Sequence, residues 1–352
     1  MGFMSKVDDP WWQAVLGGPI NKVPDLATDT KYVAFPNTVE PRVLVDAGCR
    51  TAVSEVLERA FMNRGFDPTI ARTLAGVAPR LTAKRRDGWF LNESRGLSLR
   101  EFLSQLLGED VHLSISVGPP RPNRKPVVRI YSNNELFAVA KIGPNPHTAA
   151  MVNNESRWLA ELGGVSSGGV STPGFLGCST FSGMPIVVME ALPLDGSPSV
   201  EIASIPHDAL RQLLGDDTWS FDTSAWWEAI RDRVNDVADQ ELTHRASLLE
   251  SEAGNAGLTY KRWHGDWSPW NVGRSVTGGW CIWDWERACD GAPLGFDQLH
   301  LHETYGGAGA ASEALAVAGV AAQHRELTAH LYYLERDLRI VEAKQSSSQL
   351  VG

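Results

Sequence analysis

Residues 111–142 leave few folds open. "VHLSISVG", "KPVVRIYS" and "ELFAVAKIG" are three consecutive runs rich in β-branched residues, and Asn133-Asn134 separates the last two. Asparagine tolerates the left-handed backbone of a two-residue hairpin turn, so the pattern predicts antiparallel strands. A segment of helical spacing, "TAAMVNNESRWLAELGG", comes next. A Gly/Ser loop and two more strand candidates, "FLGCST" and "MPIVVMEAL", complete a compact five-stranded lobe. Beyond Pro193 the apolar spacing is helical almost throughout. "SAWWEAIRDRVNDVADQELTHRASLLESEAG" reads as one long amphipathic helix, and "ASEALAVAGVAAQHRELTAHLYYLERDLRIVEAK" as a pair of terminal helices. The expectation is an α+β chain in two lobes, β-rich over 111–192 and helical over 193–352.

Residues 1–110 read as an N-terminal α/β extension of unknown role. "KYVAF" and "RVLVDAG" are short strand candidates, and "TAVSEVLERAFMN" has apolar residues at helical spacing. In "SLREFLSQLLG", Ser98 and Glu101 stand at capping-box spacing and Gly108 marks the helix end. No reactive cluster stands out in this segment.

The net charge of −10 is concentrated in one region: residues 201–352 carry 12 basic and 23 acidic side chains. Such a surface disfavours nucleic acid and favours neutral or cationic small molecules, or a divalent metal, although acids also simply solubilise helices. No apolar run approaches the roughly 18 residues of a membrane span. The start, "MGFMSKVDDPWW", lacks the layout of a secretory signal. The four cysteines are scattered without a CxxC pair, which argues against a zinc site or a disulfide framework and for a reducing cytoplasm.

One stretch of the helical half carries a chemical pattern, "KRWHGDWSPWNVG", residues 261–273. An isolated acid beside a turn glycine is most often a capping residue. Here Asn271 follows Asp266 by five positions, and Asp284 follows Asn271 by thirteen. A carboxylate, an amide and a second carboxylate in that order suit metal-assisted phosphoryl transfer. The first accepts a hydroxyl proton, while the other two hold magnesium against nucleotide phosphates.

"HGDWSPWN" with "WDWE" resembles the catalytic and metal-binding segments of the aminoglycoside phosphotransferase family, relatives of protein kinases that share their two-lobed fold. The resemblance covers roughly residues 111–345. It implies an enzyme that moves the γ-phosphate of ATP or GTP to a hydroxyl of a small molecule, with Mg2+ as cofactor. Asp266 would be the base, and Asn271 and Asp284 the metal ligands. Lys141 would contact the α and β phosphates, held by Glu155 on the following helix. Gly118 would lie in the phosphate loop, and the Glu190 carbonyl and Leu192 amide in the hinge that binds the base of the nucleotide. Asp297 would brace the catalytic loop through backbone hydrogen bonds, and His264 likewise reads as a bracing residue. Trp267 and Glu286 are candidates for the acceptor site, with core packing as the alternative for a tryptophan stripe.

The chain departs from the family pattern in the phosphate loop. "SVGPPRPNRKP" has one glycine and four prolines, and prolines remove the amides that cradle phosphate. Arg121, Arg124 or Lys125 would then help to grip nucleotide. Two rival readings remain at this point. One is a catalytically inert kinase-like scaffold or regulatory binding protein. The other is a metal hydrolase built on Asp266, Asp284 and Glu286, which lacks the usual histidine ligands. The acceptor stays open among aminoglycosides, sugars and amino alcohols.

Overall fold

The architecture comes from a computed structural model, which describes residues 10–21, 30–62, 67–77, 88–91, 97–118, 123–164, 166–167, 169–196, 201, 205–215, 217–305 and 311–349. The chain divides into two compact units, Met1–Val152 with Leu176–Ala191, and Asn153–Phe175 with Leu192–Gly352. Arg121 lies outside the described residues.

The first half of the chain supplies α1 (Pro10–Leu16), β1 (Ile20–Asn21), β2 (Thr30–Phe35), β3 (Val43–Asp46), α2 (Arg50–Met62), α3 (Pro68–Val77) and β4 (Gly88–Leu91). It continues with α4 (Leu99–Leu107), β5 (His112–Val117), β6 (Pro126–Ser132), β7 (Glu135–Ile142) and α5 (Pro146–Leu162). Next are β8 (Ser166–Ser167), β9 (Val170–Ser171), β10 (Phe175–Phe181) and β11 (Met184–Glu190). The first unit is built on a nine-stranded sheet in the order β1-β4-β2-β3-β5-β6-β7-β11-β10. Asn133 and Asn134 both take positive φ, 52° and 64°, and turn β6 into β7 as their sequence predicts. Ser98 and Glu101 form the expected capping box on α4, and Gly108 ends the helix at φ 69°.

The sequence places a boundary between residues 110 and 111, and the sheet crosses it. β3 pairs antiparallel with β5, Val43 opposite Ser116 and Val45 opposite Ser114. One core cluster joins Trp12, Leu16, Ile20 and Tyr32 of the extension to Leu113, Ile115, Val128 and Val188. The extension therefore completes the core of this unit. Arg42, just before β3, also donates through Nη1 to the Gly118 carbonyl at 3.1 Å, so the extension anchors the start of the loop after β5.

Lys141 sits on β7 opposite Val127 on one side and Val187 on the other, in the interior of the sheet. It is 8% exposed. An edge-strand charge would be solvated, and this one is not. Glu190 is exposed at the end of β11, and the next amide, Ala191, bonds the Phe137 carbonyl. Of the cations expected to help grip nucleotide, Arg124 lies over the Trp11 ring at 5.0 Å.

The second unit is mainly helical: α6 (His207–Leu214), α7 (Ala225–Val237), α8 (Gln240–Ala256), then β12 (Tyr260–Trp263), β13 (Val272–Arg274), β14 (Trp280–Ile282) and β15 (Cys289–Pro293). It ends with α9 (Phe296–Tyr305), α10 (Ala311–Val317) and α11 (Arg325–Gln349). The long helix expected over 224–254 is two helices. Ala238 takes a left-handed conformation, φ 53°, and Asp239 caps α8 by accepting from the Leu242 amide. Apolar periodicity continues through the break because both helices bury one face in a single core with Trp226, Trp227, Trp263 and Phe296. No helix among the described residues is long and apolar enough to cross a membrane.

Candidate active site

Every group described next belongs to the second unit. The loop from β12 to β13, residues 264–271, is pinned from both sides of its backbone. Asp297, in the first turn of α9, accepts from the His264 amide at 3.0 Å and from the Gly265 amide at 3.1 Å. Arg339 of α11 donates to the Gly265 carbonyl at 2.9 Å. Gly265 has φ +83°, and a Cβ there would collide with the Arg287 carbonyl. Only glycine fits this turn. The expected bracing role of Asp297 matches these bonds.

His264 is fully buried and bridges two segments. Its Nε2 meets the Trp283 carbonyl at 3.0 Å, and its Nδ1 accepts the Asp266 amide at 3.3 Å. A carbonyl can only accept and an amide can only donate, so the ring is the neutral tautomer with its proton on Nε2. Burial pushes its pKa down, in agreement, against the pull of Asp297, Asp266 and Asp284.

Asp266 has both carboxylate oxygens engaged. Asn271 Nδ2 donates to Oδ2 at 3.1 Å and to the Asp266 carbonyl at 2.8 Å. His300 Nε2 lies 3.3 Å from Oδ1. Burial raises the carboxyl pKa, but the His300 bond and the Arg287 charge outweigh it and hold the group well below the usual carboxylate range. Asp266 is thus ionised at neutral pH and has the polarity of a hydroxyl-binding base.

The β13–β14 hairpin sets the next two groups. Val272 pairs with Ile282 and Gly273 with Cys281, and one step further the Trp283 amide bonds the Asn271 carbonyl. Asn271 and Asp284 therefore stand at the same open end of one ladder. Asp284 takes φ +71°, a conformation uncommon outside glycine and frequent at functional sites. Carboxylate oxygens of Asp284, Glu286 and Glu155 lie within 4.8 Å of one another. Glu155, on α5, is fully buried, and Glu286 is 6% exposed. Two buried carboxylates and a half-buried one, with no nitrogen or sulfur donor, suit a hard cation such as Mg2+, because metal charge would offset their repulsion. Asn271 spends its amide nitrogen on Asp266, which leaves its oxygen as the acceptor end.

Two expectations for the acceptor side change. Trp267 is fully buried, its ring 5.9 Å from His264 and 6.4 Å from His207. It is core, because the loop that turns Asp266 outward turns its neighbour inward. Trp270 is the accessible ring, 51% exposed and edge-on to Tyr305 at 4.5 Å. Glu286 belongs to the carboxylate cluster. Trp285 is core as well, its Nε1 bonded to the Ile282 carbonyl.

Sequence reasoning missed His300 and Arg339. A signal for the first existed: Asp297 and His300 are three apart on α9 and so share a face. Arg339, 74 residues beyond Gly265, left none.

Family models and curated proteins give no match to this chain. Solved structures that resemble it, all at low identity, include phosphotransferases and a nucleotide complex. A thermostable mutant of aminoglycoside phosphotransferase APH(4)-Ia is 12% identical with TM-score 0.48, covering 70% of this chain and 93% of that one. Macrolide 2'-phosphotransferase MphH from Brachybacterium faecium is 18% identical with TM-score 0.44, covering 70% and 94%. LicA in complex with AMP is 17% identical with TM-score 0.47, covering 70% and 89%. The functional reading rests on the side chains described above.

Proposed function

We propose that this chain is a small-molecule phosphotransferase of the aminoglycoside phosphotransferase type, with a protein-kinase-like fold. It would move the γ-phosphate of ATP or GTP to a hydroxyl. The observation that carries the reading is Asn271, which links an ionised carboxylate, Asp266, to the end of the ladder that presents Asp284. A base and a cation-binding cluster joined through one amide are what phosphoryl transfer to an alcohol requires.

Asp266 would accept a hydrogen bond from the acceptor hydroxyl and take its proton as the oxygen–phosphorus bond forms. Asn271 and Asp284, with Glu286 and Glu155 beside Asp284, would hold magnesium. Bound there, the ion would neutralise charge on the phosphate oxygens. Lys141, the buried cation of the first unit, would serve the nucleotide phosphates, and Glu190 and Leu192 the nucleotide base through their backbone groups. Gly118 would begin the phosphate loop. In a loose transition state most of the catalysis is positioning and electrostatics, which suits a loop pinned as firmly as 264–271.

The test is a screen of the purified protein with magnesium and ATP or GTP against pooled aminoglycosides, sugars and amino alcohols. Asp266→Asn should lose about 100-fold or more in turnover and keep nucleotide binding. Asp284→Ala should lose turnover together with the thermal stabilisation that magnesium–nucleotide confers on the parent protein. A parent melting temperature indifferent to magnesium–ATP and magnesium–GTP would instead favour an inert scaffold.

A further inference from the structure

We infer that His300 is a positioning residue for the transfer reaction: held by Tyr332, it donates to Asp266 and fixes the direction in which the base carboxylate faces. This rests on Asp266 being the base and adds the group that aims it.

A carboxylate anchored at one oxygen can still swing about its Cβ–Cγ bond, because that torsion is broad. Asn271, from the loop itself, anchors Oδ2. The bond from His300 to Oδ1 comes from a different element, α9, and removes the remaining freedom. The same helix face grips the loop's backbone through Asp297. One helix thus sets both the position of the loop and the aim of its side chain.

The direction of the hydrogen bonds follows from the partners. An ionised carboxylate only accepts, so His300 Nε2 carries the proton. The other ring nitrogen, Nδ1, faces the Tyr332 hydroxyl at 3.0 Å, a group that can donate or accept. Burial, first among several influences, pushes the Tyr332 phenol up to about 12, so it holds its proton at neutral pH. Tyr332 and Asp266 thus hold the His300 ring at both of its nitrogens. During transfer the acceptor O–H bond breaks and a new O–H forms on Asp266. The acceptor oxygen bonds phosphorus as the bond to the nucleoside diphosphate breaks. His300 keeps its own proton throughout.

The experiment uses the full chain as His300→Ala, His300→Gln, Tyr332→Phe and Asp266→Asn, with magnesium–ATP and the pooled acceptors above. His300→Ala should lower kcat by about 10- to 100-fold and leave the KM for magnesium–ATP within about twofold. His300→Gln, whose amide N–H reaches the same place, should recover part of the loss. Tyr332→Phe should cost less than about tenfold. A readout independent of turnover is the 15N spectrum of histidine-labelled protein, with the His300 signals identified by their disappearance in His300→Gln. They should report a proton on Nε2 and shift in Asp266→Asn. An Nε2 that carries no proton, or His300 signals indifferent to Asp266→Asn, would overturn the inference even where turnover is at background. So would an unchanged kcat in His300→Ala when Asp266→Asn has lost activity. Full turnover in Asp266→Asn would sink the base reading itself, whatever the His300 spectrum shows.

Discussion

At the scale of single residues, the loop around Asp266 depends on groups that do no chemistry. Gly265→Ala should destabilise the protein by about 2 kcal/mol or more, since strain at positive φ adds to a collision with the Arg287 carbonyl. Denaturant unfolding measures it, and turnover should vanish with it. His264 should make stability depend on pH. Its pKa is depressed in the folded protein, so below about pH 6.5 the unfolded chain takes up the extra proton. Its contribution is present above that pH and is lost as pH falls toward the folded value. His112 has the opposite sign: its bond to Asp46 raises its pKa, so its contribution is present below about pH 6.5 and lost as pH rises. The difference between the parent and His264→Gln isolates the first effect. The variant's stability should fall less steeply between about pH 6.5 and 5 in equilibrium unfolding. The acids and amide of this site were legible in the sequence because their spacing is local. Trp267 was not, because a loop has no periodicity from which to read which side is buried.

At the scale of elements, α11 holds the loop through a charge network centred on the buried Glu335. Arg339 bonds the Gly265 carbonyl and pairs with Glu335, which Arg233 of α7 also binds while reaching Glu342. Two arginine charges outweigh the desolvation of Glu335 and hold it ionised, its pKa down at about 2. Arg339→Met should cost about 1–3 kcal/mol, below the scale for an uncompensated buried charge because Arg233 still pairs with Glu335, and should lower turnover by releasing the loop. Thermal unfolding and kinetics on the same preparation check both. Helices with local punctuation were readable: the Ser98–Glu101 box lies where the sequence puts it. The division of α7 from α8 was not, since an alanine in the left-handed region leaves no glycine to announce it.

At the scale of the whole molecule, the extension cannot be treated as an appendage. A protein comprising residues 111–352 alone should be recovered mostly insoluble and should bind an apolar dye. It would lose the Trp12, Leu16 and Tyr32 side of its core and expose the edge of β5. Soluble yield against the full chain is the measurement. The sequence made this unit look separable because each part has its own strands, and nothing in a strand's residues names its neighbour across the ladder. The order of the sheet has a further consequence for self-association. Its margin on the extension side, among the described residues, is the two-residue strand β1. Such a strand offers an approaching chain almost no backbone to pair with, whereas β5 would offer six residues. On this side the longer strands β2, β3 and β5 lie inside the sheet and present no free edge for growth between molecules.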